Sequence, residues 1–122
     1  MESYNPYRFG NIYKLPNGKV QYRISGYYPG EDKVLLRFGV LPVKAKISEL
    51  QGVLVDEFLL HQLGFSRDRS DEKFWKKDHV IVYLIEKGKF RLAFETEIYD
   101  RVFHYLHQLQ NLYYSHTGTE IN

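Results

Sequence analysis

Apolar and polar side chains alternate one for one along two stretches of this chain: Val20, Tyr22 and Ile24 against Gln21, Arg23 and Ser25, then Val43, Ala45 and Ile47 against Lys44, Lys46 and Ser48. A period of two belongs to a β-strand that buries one face and wets the other; a helix cannot satisfy it. Turn chemistry agrees. Pro16-Asn17-Gly18 separates a strand over 9–15 from a return strand over 19–25, because Asn and Gly tolerate the positive φ of a tight turn. Pro29-Gly30 then precedes a third strand over 33–38. Lys44 and Lys46 are expected in solvent.

Past Gly52 the pattern changes. Residues 56–63 predict a short helix with Phe58, Leu59, Leu60 and Leu63 as its inward face and Gly64 just beyond its end. The charged stretch 66–73 is a loop by composition, and 74–77 a short strand with Trp75 as a core anchor. The β-branched run Val80, Ile81, Val82, Tyr83, Leu84, Ile85 predicts a central strand over 79–86. Lys87-Gly88-Lys89 turns it into a partner over 90–95. Asp100 is the expected N-cap of a last helix, whose stripe is Val102, Leu106, Leu109 and Tyr113, widened by Tyr105 and Leu112 and ended by Gly118.

The fold class that follows is α+β: an antiparallel, barrel-like amino-terminal sheet, a short helix, a second antiparallel sheet section, and a carboxy-terminal helix packed on the sheet. With 122 residues, 43% of them apolar, the expectation is one domain over 1–122, made of a basic, aromatic, β-rich part (1–52) and a helix–sheet–helix part (53–122). The absence of cysteine excludes disulfides and thiolate sites and fits a reducing compartment. No stretch approaches the roughly 20 apolar residues that span a bilayer, and no secretory leader opens the chain, so the expected address is the cytoplasm.

The segment His107-Gln108-Leu109-Gln110-Asn111-Leu112-Tyr113, with Thr117-Gly118 behind it, resembles the closing motif, close to HQLQNLYFALTGEEL, of small uncharacterised proteins of Bacteroidetes genomes and their phages. Arg8-x-Gly10-Asn11 before an Asn17-Gly18-Lys19 turn, and 53–65 with its Leu-Gly-Phe ending, are similar to earlier parts of that family. Val53, Val55 and Asp56 depart from its usual Pro-Leu-Thr-Glu-Glu helix start, and His116 stands where it carries Leu. The resemblance implies a phage or mobile-element setting in a bacterial host and no particular reaction.

Charge distribution is the most suggestive functional feature. The chain carries 17 basic and 15 acidic side chains; residues 1–50 hold eight against four and 51–122 nine against eleven, so the first part is +4 and the rest −2. Eight of the twenty aromatic residues fall within the first 38 positions. A sheet bearing Arg8, Tyr13, Lys14, Lys19, Tyr22, Arg23, Arg37, Lys44 and Lys46 can attract phosphates and stack bases, which makes nucleic-acid binding one reading. The bland alternative has the tyrosines in the core and the lysines keeping sheet edges soluble. The reading put first is a non-catalytic binding protein, acting on a protein partner or on copies of itself through Tyr4, Tyr7, Tyr27 and Tyr28, or through Tyr114 with Trp75.

No catalytic residue, cofactor or metal site is assigned. His104 and His107 sit three apart, yet no carboxylate stands at ligand spacing. His61 follows Glu57 by four residues, as a solvated helix pair would. Ser70-Asp71-Glu72-Lys73 matches a Ser-x-x-Lys box without its companions. Catalysis requires a deep pocket with at least two convergent ionisable groups, and none is expected.

Overall fold

The computed structural model describes residues 7–16, 18–94 and 101–121. The fold is α+β, with ten strands among the described residues forming two antiparallel five-stranded sheets. The chain divides into two compact units, Met1–Val53 and Leu54–Asn122, beside the break in composition after residue 52. Each unit carries one sheet. No helix among the described residues is long and apolar enough to cross a membrane.

The first unit holds β1 (Ile12–Lys14), β2 (Tyr22–Tyr27), β3 (Lys33–Phe38), β4 (Leu41–Lys46) and β5 (Gln51–Gly52), in the order β4-β3-β2-β1-β5. This sheet curls into a half-barrel. Its core is Tyr13, Ile24, Val34, Leu36 and Ala45, brought face to face by the ladder: Tyr13 opposite Tyr22, Ile24 opposite Leu36, Val34 opposite Ala45. Burying each aliphatic side chain is worth about 1.5–3 kcal/mol, and a one-residue slip would turn the whole set to water, so the core itself fixes the register. One slip is built in. Ser25 is an extra residue between the Ile24–Leu36 and Gly26–Leu35 pairs, a β-bulge that carries Tyr27 opposite Val34.

Two boundaries differ from the alternation. Gly18 closes a turn by donating its N–H to the Leu15 carbonyl (3.0 Å), which leaves Val20 exposed before the ladder begins at Tyr22. Ile47 leaves β4 to head a single 3-10 turn, Ile47–Glu49, closed when the Glu49 carboxylate accepts from the Lys46 N–H at 3.0 Å. Asn17 lies outside the described residues.

The second unit contains α1 (Glu57–Gln62), β6 (Ser66–Arg67), β7 (Phe74–Lys77), β8 (Val80–Glu86), β9 (Lys89–Phe94), β10 (Arg101–Phe103) and α2 (Leu106–Thr117). The sheet order is β10-β9-β8-β7-β6, with β8 central as its apolar run predicts. Trp75, Val82 and Leu92 form one buried row across it. The row beside them, Phe74, Tyr83, Arg91 and Val102, turns to the opposite face. Asp56 caps α1, its carboxylate accepting from the Leu59 N–H at 2.8 Å. Gly64 follows at φ +95°, where a side chain would be strained. The Lys77 ammonium donates to the Leu63 carbonyl at 2.7 Å and sits 5.9 Å over the Tyr113 ring, tying β7 to both helices.

Three sequence expectations are corrected here. Phe58 is 69% exposed, not inward; successive helical residues turn by about 100°, so Phe58, Leu59 and Leu60 cannot all face one core, and Leu59, Leu60 and Leu63 take it. Ser66 and Arg67 pair with Lys76 and Trp75 instead of looping. The last helix starts at Leu106, and Val102 belongs to a strand: Phe103 stacks on Phe90 with centroids 5.6 Å apart, while the Gln108 side chain accepts from the His104 and Tyr105 N–H groups at 2.9 and 3.0 Å and caps the helix there. The expected cap, Asp100, lies outside the described residues. Tyr105, expected to widen the stripe, is the N-cap and is exposed, whereas Leu106, Leu109, Leu112 and Tyr113 are buried, and Gly118 ends the helix at φ +70°.

Candidate nucleic-acid interface

Strand alternation in the first sheet sorts side chains by charge. With Tyr13, Ile24, Val34, Leu36 and Ala45 on the core face, the intervening Lys14, Arg23, Lys33, Arg37, Lys44 and Lys46 all fall on the other face. Two directly opposed pairs are like-charged, Arg23 with Arg37 and Lys33 with Lys46. Such pairs repel across neighbouring strands.

Acidic neighbours cluster at one end. Glu31 bridges Lys33 and Lys44 at 3.7 Å each, and Lys33, Lys44, Lys46 and Glu49 line a shallow groove of about 240 Å³. At the other end the Arg37 side chain is exposed, and the Arg23 guanidinium reaches the Gly10 carbonyl at 3.4 Å, a long contact. Exposed ion pairs of this kind contribute little to stability. The face therefore remains cationic, most strongly along the arginine row.

The tyrosines largely turn away from it. Tyr13 is 3% exposed, and burial keeps its phenol protonated well above the ordinary range. Tyr22, on the same side, meets Phe38 edge-on at 6.4 Å. Tyr7 packs at 5.9 Å from Tyr13. Tyr27 is exposed beside Phe9 at 4.8 Å and donates its hydroxyl to the Tyr7 carbonyl. Tyr28 is half-buried under the Lys44 ammonium, 4.2 Å from ring centre. Arg8 donates to Asn11 Oδ1 at 3.3 Å, and Lys19 is exposed in the β1–β2 connection. Tyr4 lies outside the described residues.

Elsewhere His104 and His107 take structural positions. His104 Nδ1 lies 2.9 Å from the Gly88 carbonyl in the β8–β9 turn. His107 stacks on Tyr105 at 5.7 Å, and burial lowers its pKa to about 4. The ion pair of Glu57 is with Arg67 at 3.9 Å, not with His61. No group of three or more His, Cys, Asp or Glu side chains among the described residues is placed to hold a metal. Trp75 is 6% exposed and does not share a surface with the exposed Tyr114.

Sequence reading missed two features. Phe38, Val40 and Leu41 leave an apolar tip on the β3–β4 hairpin, with Val40 87% exposed; the signal was an apolar residue beside Gly39 in a turn. An open cleft of about 510 Å³, not a deep pocket, is lined by Asp78, His79, Tyr113 and His116 among others. These come from the β7–β8 turn and the end of α2, which are far apart in sequence. The one local sign is Asp78 itself, at φ +53°. Burial and the Asp78 carboxylate raise the pKa of the Tyr113 phenol. No protein-family model, curated protein or solved structure matches this chain.

Proposed function

We propose that this protein is a non-catalytic binding module that holds nucleic acid by its phosphate backbone on the wet face of its first sheet. The observation that carries the reading is the gathering of Lys14, Arg23, Lys33, Arg37, Lys44 and Lys46 on that face, with Arg23 opposed to Arg37. A phosphate between two guanidiniums turns their repulsion into two charge-assisted contacts. Because Tyr7, Tyr13 and Tyr22 serve the core and Tyr28 lies under the Lys44 ammonium, contact here is with charge and not with bases, which suits a duplex as well as a single strand.

Fluorescent duplex DNA and RNA, titrated with the protein at several salt concentrations, test this. Release of counterions from about five or six phosphates gives a slope of log affinity against log salt near −5 on a duplex. The double variant Arg23→Glu/Arg37→Glu lowers both affinity and slope, the latter by about two units. Affinity indifferent to salt, or unchanged in that variant, sinks the reading.

A second reading, a protein partner or self-assembly, is favoured by the apolar hairpin tip of Phe38, Val40 and Leu41. Light scattering on the same sample reports self-assembly, and Val40→Asp would abolish it. Under either reading, a phage or mobile-element setting in a bacterial cytoplasm rests on the closing-motif resemblance and the lack of cysteine.

A further inference from the structure

The β3–β4 hairpin ends in an apolar tip that folding does not require. Its turn is Gly39-Val40, with Gly39 at φ +59°, between the paired Phe38 and Leu41. Phe38 is 52% exposed, Val40 87% and Leu41 61%. Such a turn needs its glycine but asks nothing apolar of the next residue, where Asn, Asp or Ser is usual. The other two-residue turns between described strands are polar, Asp78-His79 and Lys87-Gly88.

Charge is graded along the same hairpin. Residues 33–46 hold Lys33, Arg37, Lys44 and Lys46 and no acid. The acids that answer them sit at the end away from the tip, where Glu31 bridges Lys33 and Lys44 and Glu49 accepts from the Lys46 N–H. Next to the tip, Arg37 is exposed between Arg23 and Pro42 and has no ion pair among the described residues. An apolar point with an unanswered cation directly behind it matches a target that is apolar at its centre and anionic at its rim. Three side chains fall well short of the roughly 800 Å² per partner of a stable protein interface, and such interfaces keep charge away from their centre. A DNA groove has the matching plan, with phosphates along both walls and base steps at the floor into which apolar side chains wedge.

We infer that the hairpin tip is a wedge for duplex DNA: Val40 and Leu41 enter the minor groove and part a base step, while Arg37 meets the phosphate at the groove wall. The inference rests on the nucleic-acid reading above and deepens it, adding the contact with bases that the cationic face lacks. Pyrimidine–purine steps open most readily and A-tracts are stiff, so the wedge prefers a TA step to an A-tract. A wedged step kinks the duplex towards the major groove by about 20–90°.

The test uses the whole protein and two duplexes of about 25 base pairs, end-labelled for energy transfer. One has a central TA step with 2-aminopurine in place of its adenine, the other a central A-tract. Saturating wild type is expected to raise transfer between the ends of the TA duplex, to brighten 2-aminopurine as the step unstacks, and to bind that duplex roughly tenfold tighter than the A-tract. The variant Val40→Ser/Leu41→Thr keeps the glycine of the turn and alters only exposed side chains; it keeps salt-dependent binding but loses the bend, the brightening and the preference. A TA duplex that stays straight and stacked under saturating wild type overturns the wedge without recourse to any variant, and leaves the cationic face standing if both duplexes bind with a steep salt slope. Failure to bind either duplex overturns both. A double variant that bends the TA duplex as the wild type does overturns the wedge alone. So does a wild-type dimer in light scattering that the double variant dissolves while neither protein bends DNA, an outcome that gives the tip to a second copy of the chain.

Discussion

Arg37 is where stability and binding pull apart. It stands directly opposite Arg23 on the neighbouring strand, so Arg37→Glu replaces a repulsive pair with an attractive one. The free protein should gain roughly 0.2–1 kcal/mol and show a higher thermal midpoint at low salt, while duplex affinity falls. A variant that loses stability and affinity together would show that the pair serves the fold. His107 offers a second residue-scale handle. Its pKa falls from the ordinary 6.5 to about 4 on burial, so between those values the unfolded chain binds a proton that the folded chain refuses. Stability is complete above pH 6.5 and is lost as pH falls towards 4. His107→Gln should flatten the thermal midpoint across that window relative to wild type; parallel pH profiles would remove His107 as the cause. Neither residue's role was legible in the sequence, because cross-strand pairing and helix burial both depend on partners distant along the chain.

Elements were legible where local chemistry and tertiary packing ask for the same thing. β3 and β7 occupy the expected 33–38 and 74–77, and the β-branched run of β8 pairs as a central strand, because these segments meet no competing signal. Asp56 and Gly64 bracket α1 because a cap and a positive φ are local requirements. Asp56→Ala should therefore cost about 1 kcal/mol, read as a lower urea midpoint with unchanged slope. An unchanged midpoint would mean that packing of Leu59, Leu60 and Leu63 alone holds the helix. The misreading of 100–105 has the opposite origin. Val102 fits a helical stripe by spacing, but Phe103 gains more by stacking on Phe90, and Gln108 supplies a cap from inside the helix, so a strand takes the residues that periodicity assigned to α2. The aromatic row of the second sheet escaped for a related reason: Phe74 and Tyr83 are nine positions apart and meet only through the β7–β8 hairpin.

At the scale of the molecule, the two units differ in how much they bury. The first rests on Tyr13, Ile24, Val34, Leu36 and Ala45 with partly buried neighbours. The second encloses Leu60, Phe65, Trp75, Val82, Phe90, Leu92, Phe103, Leu106, Leu109 and more. Small cores give marginal stability, so amide exchange should be faster in β2 and β3 than in β8 and β9, which hydrogen-exchange mass spectrometry resolves segment by segment. Equal protection would mean that the units open only together. The charge asymmetry between them was plain in the sequence; that six cations share one face became visible only once the core had chosen the other. That division has an evolutionary consequence. Positions 13, 24, 34, 36 and 45 are held to apolar side chains by the interior, while 14, 23, 37, 44 and 46 lie on the same strands under no such constraint. A lineage carrying this fold can exchange one partner for another by substitution at alternate letters, without ever passing through an unfolded ancestor.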